Sequence, residues 1–357
     1  MSGVNFLCSD FQRDKNSVVP TQARLQTVPG FPHLSQRQTF AAPQDSLFSC
    51  EKDEIVILMG TCNSASYLTE QLNSLSAQTY QHWKLVVCDD HSDDDTYDML
   101  CGFQAHDREK INVRRLSANV GFQKNFLGML CDPQIEAPYF AFCDQDDIWH
   151  DDKLERAMDW LCSIDPAQPA LYCSRTLTVD AANQEMGLSP YFKKPPSFAN
   201  ALIQSLAGGN TMVFNQAARQ LALEAGADVD IACHDWWMYI LVSGAGGTIY
   251  YDPIPSLRYR QHAHNFLGSN NSFSARLQRL NMVRKGQLKS WNEGHLSSLQ
   301  RVEYRFTEEN REILRVFRKV RRSSFSGRLL GVLKSGLYRQ TLFGQMGLIA
   351  ASMSNKI

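Results

Sequence analysis

The chain has 357 residues, 43% of them hydrophobic and 20% charged, with a formal net charge of −1. That length suits one two-lobed catalytic domain with an appendage and buries a substantial core. The near-neutral charge and the lack of a recognisable module argue against nucleic acid, and ten cysteines with no C-x-x-C pair or ligand-like Cys/His spacing argue against zinc or a disulfide framework and for a reducing cytosol.

Residues 1–50 are rich in Gln, Ser, Thr and Pro without periodicity, and are expected to be a weakly ordered extension. Residues 54–59 form a continuous apolar run, read as a buried strand, that ends at Gly60-Thr61-Cys62-Asn63-Ser64. Leu68, Leu72 and Leu75 then recur at helical spacing. Residues 84–88 read as a second strand, followed at once by Asp89 and Asp90. The Ser/Asp/Thr composition of residues 92–96 marks a turn and N-cap before a helix near 97–103. A short strand (112–116), a helix near 120–130 and a strand over 139–142 follow, the last running into Asp144, Asp146 and Asp147. Alternating β and α elements imply a mostly parallel sheet with right-handed crossovers. Three polar strand ends then converge on the edge where open α/β sheets bind ligands.

Clustered carboxylates repel one another, and hard oxygen ligands suit Mg²⁺ or Mn²⁺ held together with substrate phosphates. The competing reading is a solvated acidic loop in which Asp147 caps a helix containing residues 153–160.

Several spaced motifs carry a resemblance. They are Thr61-Cys62-Asn63, Tyr67-Leu-X-Glu-Gln-Leu-X-Ser-Leu-X-Ala-Gln-Thr-Tyr80, Cys88-Asp89-Asp90-X-Ser-X-Asp and Asn119-X-Gly121-X-X-X-Asn125, then Asp144-Gln-Asp146-Asp147-Ile-Trp and His234-Asp235-Trp-Trp. In this order, across roughly residues 54–265, they resemble family 2 glycosyltransferases, most of all bacterial rhamnosyltransferases of surface-polysaccharide assembly. The resemblance implies the GT-A fold: an α/β, Rossmann-like, mostly parallel sheet flanked by helices, here with a basic helical C-terminal extension. It divides the chain into an extension (1–50), a nucleotide-sugar half (51–150), an acceptor and catalytic half (151–268) and a basic helical region (269–357).

It also implies roles. Thr61, Asn63, Asp89, Asp90, Lys124, Asp144 and Arg260 fall in the nucleotide-sugar set. Asp90 would accept the N3–H of a uracil or thymine, with Asp89 orienting it or capping the next helix, and Lys124 would reach the base or a phosphate. Cys62 stands where many members carry a stacking aromatic, and cannot stack. Asp146 would ligate the divalent metal (Mg²⁺ or Mn²⁺), with Asp144 near the ribose and Asp147 a helix cap. In Arg258-Tyr-Arg260-Gln-His262-X-His264-Asn265, Arg260 would neutralise phosphate and His262 would touch metal or phosphate; a basic loop is the alternative. Gly209 and Asn210, with Trp236, would line the donor-sugar or acceptor pocket, unless Gly208-Gly-Asn210-Thr is a plain turn. Asp235 would be the general base, giving a single displacement with inversion. The implied partners are a dTDP- or UDP-sugar, with dTDP-L-rhamnose favoured, and a glycan or lipid-linked acceptor. A catalytically silent nucleotide-sugar-binding scaffold is the alternative.

Charge is uneven. Residues 276–357 carry 17 Lys/Arg against 5 Asp/Glu. Arg311, Arg315, Arg318, Lys319, Arg321 and Arg322 lie among Leu314, Val316, Phe317 and Val320, which predicts either attachment to an anionic membrane or a bundle with a solvated basic face. No run reaches the roughly 18 to 20 apolar residues of a spanning helix, and no basic start leads into an apolar h-region. The expected location is therefore cytoplasmic, peripheral at the inner membrane face.

Overall fold

The computed structural model describes residues 53–262 and 286–357. The expected extension over residues 1–50, and His264 with Asn265, lie outside the described residues. Seven strands form the main sheet in the order β10-β6-β9-β4-β1-β2-β3. Its first half is β1 (Ile55–Thr61), β2 (Trp83–Asp89), β3 (Ile111–Arg115) and β4 (Tyr139–Cys143), with α1 (Ala65–Ser76), α2 (Thr96–His106) and α3 (Phe122–Leu130) as crossovers. These four strands are parallel. On β1, Ile55, Ile57 and Met59 pack into one core and Val56 and Leu58 into the other. Burial on both faces is why the strand reads as an unbroken apolar run rather than an alternating one. Leu68, Leu72 and Leu75 are the buried face of α1, as their spacing predicts.

The second half is less regular. After α4 (Lys153–Leu161) come β6 (Ala170–Ser174), a four-residue α5 (Phe198–Ala201), β9 (Val213–Asn215), α6 (Gln216–Ala225), α7 (His234–Gly244) and β10 (Thr248–Asp252). β9 runs antiparallel between β4 and β6, and β10 is parallel to β6. The sheet is thus mostly parallel and flanked by helices, as expected. A second sheet, β5-β11-β7-β8, had no counterpart in the sequence reading. Its strands, β5 (Ile148–Trp149), β7 (Leu177–Val179), β8 (Glu185–Leu188) and β11 (Leu257–Arg260), span two to four residues each, too short to display a period. Residues 258–260, for which a basic loop was the alternative, are therefore strand.

The C-terminal region is helical: α8 (Gln287–Ser298), α9 (Glu308–Arg322), α10 (Phe325–Lys334) and α11 (Leu342–Met353). The Thr307 hydroxyl caps α9, with Glu308 and Glu309 in its first turn and Lys319, Arg321 and Arg322 in its last, signs that suit the helix dipole. Leu314, Phe317 and Val320 are buried in the core that also holds α7. For this helix the bundle reading holds, because its apolar stripe is not available to a membrane. Among the described residues no helix is long and apolar enough to cross one.

Candidate active site

Strand register brings the polar ends together: Thr61 pairs with Asp89, and Met59 with Cys143, so Asp144 emerges beside them. Asp89 is fully buried. Its carboxylate accepts from the Thr61 hydroxyl (3.2 Å), the Ser92 amide (3.0 Å) and the Ser92 hydroxyl (2.5 Å), with Arg115 at 3.5 Å. It therefore organises the loop after β2. Asp90 is 2% exposed and accepts from the amides of Val120 (2.7 Å) and Gly121 (2.8 Å) at the entry to α3. Gly121 sits at φ +86°, a conformation L side chains rarely adopt.

Asn63 ties two loops: its amide donates to the Ser92 hydroxyl (3.0 Å) and its side-chain carbonyl accepts from the Asp93 amide (2.9 Å). Two residues without a role in the sequence reading complete this edge. Gln145 accepts from the Cys62 amide (2.6 Å) and donates back to the Cys62 carbonyl (3.1 Å). The Asn119 side chain donates to Cys62 Sγ (3.3 Å) and to the Asp90 carbonyl (3.1 Å). Lys124 is exposed on α3.

The second carboxylate group is built differently. Burial pushes the Asp144 carboxyl up to about 7, with the Asp146 and Asp235 carboxylates adding and the Lys153 ammonium opposing. Asp147 is not a helix cap. It is fully buried, accepts from the Asn210 side chain (2.5 Å) and the Arg260 amide (3.2 Å), and is held well above the usual carboxylate range by burial and its acidic neighbours. Asp152, not Asp147, occupies the N-cap position of α4. Lys153, the next residue, is fully buried; its ammonium lies 3.2 Å from the Trp149 ring centroid and donates to the Asn210 carbonyl. Burial drives it down to about 7.

Arg260 is 1% exposed, and its guanidinium faces protein rather than open solvent. It donates to the carbonyls of Asp146 (3.0 Å) and Ala181 (3.0 Å) and to Glu70 (2.7 Å), and lies over the Tyr67 ring. It braces the backbone of Asp146 instead of presenting a free cation to phosphate. His262 Nε2 sits 2.6 Å from Asp146 Oδ2, and the imidazole stacks on Tyr67. Tyr67 and Glu70 lie in a quoted motif, but only the fold shows what they hold.

Gly209–Thr211 is a 3-10 turn. A Cβ on Gly209 would come within 2.5 Å of His234 Nε2, so only glycine fits there. His234 is buried between Phe126 (4.0 Å between centroids) and Phe142 (4.6 Å), and burial lowers its pKa to about 4. Beside it Asp235, in the first turn of α7, accepts from the Gly209 amide (3.2 Å) and the Trp236 amide (2.5 Å). Trp236 itself is buried and donates to the Ala201 carbonyl (2.6 Å). The Gly209–Thr211 turn thus links Asp235 to the second carboxylate group: Gly209 to Asp235, Asn210 to Asp147.

Asp146 and His262 offer one carboxylate oxygen and one imidazole nitrogen; among the described residues no group of three His/Cys/Asp/Glu converges on a metal. The pair fits Mg²⁺ or Mn²⁺ bound jointly with phosphate oxygens and water. Asp144 and Asp147 are raised first by burial and then by the neighbouring carboxylates.

A mostly parallel sheet whose carboxyl edge gathers polar side chains defines an α/β protein of the open-sheet kind, in which ligands bind at that edge. Residues 56–221 match the model for Glycosyl transferase family 2, and the chain is similar to family 2 glycosyltransferases, a rhamnosyltransferase among them. It is 29% identical over 234 residues to the dTDP-rhamnosyl transferase RfbG of Shigella flexneri, covering 63% of this chain and 79% of the relative. It is 30% identical over 101 residues to the UDP-Glc:alpha-D-GlcNAc-diphosphoundecaprenol beta-1,3-glucosyltransferase WfgD of Escherichia coli, covering 28% and 38% respectively. Among solved structures, S. aureus TarS 1–349 in complex with UDP-GlcNAc aligns with a TM-score of 0.48 at 15% identity over 85% of this chain and 89% of that one.

Proposed function

We propose that this chain is a metal-dependent, inverting glycosyltransferase that moves L-rhamnose from dTDP-L-rhamnose to a hydroxyl of a glycan or lipid-linked acceptor at the membrane surface. The similarity to RfbG supports the donor, and the similarity to WfgD supports a lipid-linked acceptor. The carrying observation is the Gly209–Thr211 turn, which joins Asp235 to the Asp144–Asp147 group. We divide the chain accordingly, with residues 51–150 binding the nucleotide and 151–268 presenting acceptor and base.

Asp90 receives the base edge while its backbone amide partners hold it still, and Cys62, Asn119 and Gln145 form the adjoining wall. Asp146 and His262 would hold the divalent cation, which when bound would supply positive charge to the diphosphate as it leaves. Arg260, Glu70 and Tyr67 keep Asp146 and His262 in place. At Asp235 the acceptor hydroxyl gives up its proton. Its oxygen bonds to the anomeric carbon as the bond from that carbon to the diphosphate breaks, and the nucleoside diphosphate departs. Asp235→Asn keeps the shape but cannot take the proton. Transfer is expected to fall by about 10² to 10⁴, with nucleotide-sugar affinity near that of the parent by calorimetry. Transfer within a few-fold of the parent would reject Asp235 as the base. No transfer by the parent with any donor tried would favour a silent scaffold.

A further inference from the structure

From the middle of α9 onward the chain changes character. Residues 313–357 carry nine Lys/Arg and no Asp or Glu, five of the nine within α9. The same stretch exposes large apolar side chains: Leu330 and Leu333 on α10, and Leu342 (75%), Phe343 (85%) and Met346 on α11. On α11 these three fall within about 100° of arc, while Leu348 and Ala351 on the other side are buried. The exposure does not come from loose packing. A Cβ on Gly331 would meet Val320 Cγ2 at 2.5 Å, so glycine lets α10 close directly onto α9.

The connection between α10 and α11 is also anchored. The Tyr338 carbonyl accepts from Asn200 (2.9 Å), and the Gln340 amide donates to Gln204 (3.0 Å). Asn200 lies in α5, whose Ala201 carbonyl receives the Trp236 indole next to Asp235. One short helix therefore touches both the connection between α10 and α11 and the neighbour of the proposed base.

We propose that the outward faces of α10 and α11 seat in the interfacial layer of an anionic lipid bilayer, with the flanking Arg322, Arg328, Lys334 and Arg339 at headgroup depth. Apolar side chains projecting from a surface otherwise purely cationic match a lipid interface, where acyl chains lie beneath negative headgroups. A second copy of this chain would bring the same cations against each other, which Coulomb repulsion disfavours. The proposal depends on the reading above only for the meaning of the location, since a lipid-linked acceptor would be met there.

The test is flotation of the full chain with vesicles of phosphatidylglycerol and phosphatidylcholine, against phosphatidylcholine alone, at low and high salt. The parent should float with the anionic vesicles only, and less at high salt. Leu342→Glu with Phe343→Glu should weaken binding by about tenfold or more, and Lys334→Gln by about fivefold. Leu330→Glu with Leu333→Glu on the other helix should repeat the first result, and nucleoside diphosphate binding should persist in every variant as a measure of folding. A parent that ignores anionic vesicles, a double variant that floats like the parent, or a parent dimer that the double variant dissolves would each overturn the proposal. Absence of nucleotide binding by the parent would instead strike the glycosyltransferase reading.

Discussion

Two acidic groups sit on the same edge of the sheet, and the protein compensates them by different means. Asp89 and Asp90 follow β2 and are satisfied locally by the Ser92, Val120 and Gly121 amides, by two hydroxyls and by Arg115. Asp144, Asp146 and Asp147 follow β4 and face one another. A buried Lys153, lowered to about 7, opposes the charge on this group, and His262 lies beside Asp146. Backbone amides stabilise a carboxylate without themselves needing charge, so the first group is complete in the folded chain. In the second, burial and then the neighbouring carboxylates hold Asp144 and Asp147 raised, and a cation beside Asp146 would offset the mutual repulsion. The first group is thus suited to holding a neutral base edge, and the second to a metal with its diphosphate.

Changing either group should test that contrast. Lys153→Met should have the largest effect, because it removes a fully buried ammonium whose charge acts on Asp144 and on the buried Asp147. A loss of about 3 to 5 kcal/mol in urea unfolding is expected; unchanged stability would mean that the second group does not depend on its cation. Next, Mn²⁺ and a nucleoside diphosphate at about a hundredfold excess over Kd should stabilise the parent by about 2.7 kcal/mol. Asp146→Ala should remove the Mn²⁺-dependent part, and an undiminished Mn²⁺ effect would place the metal elsewhere. Asp90→Asn is the smallest change, placing an amide –NH2 against a backbone N–H at a cost of about 1 to 3 kcal/mol. It should weaken nucleotide binding while leaving the Mn²⁺-dependent increment intact. Loss of that increment would dissolve the distinction between the groups.

Much of this was legible in the residues themselves. Runs such as 54–59 and 139–142 are apolar because both faces of their strands are covered, and Leu68, Leu72 and Leu75 recur because one side of α1 is. Strand ends closing on Thr61, Asp89 and Asp144 announced a shared edge before any register was known. Such signals are local: period, composition and the residue that follows a strand.

What the chain alone could not tell was which charges would be enclosed. Arg260 is read from sequence as a cation for phosphate and Asp147 as a cap, yet one braces Asp146 and the other lies buried against Asn210. Their partners, Glu70, Ala181 and Asn210, are 63 to 190 residues away, and only strands of two to four residues bring them close. The same holds for the basic tail. Sequence determined that residues 276–357 would be strongly basic, with an amphipathic pattern over residues 311–322, whereas packing decided that α9 turns its apolar stripe inward and that α10 and α11 expose apolar side chains. Composition and periodicity are properties of a segment; burial belongs to the whole fold, because it depends on what arrives from elsewhere in the chain.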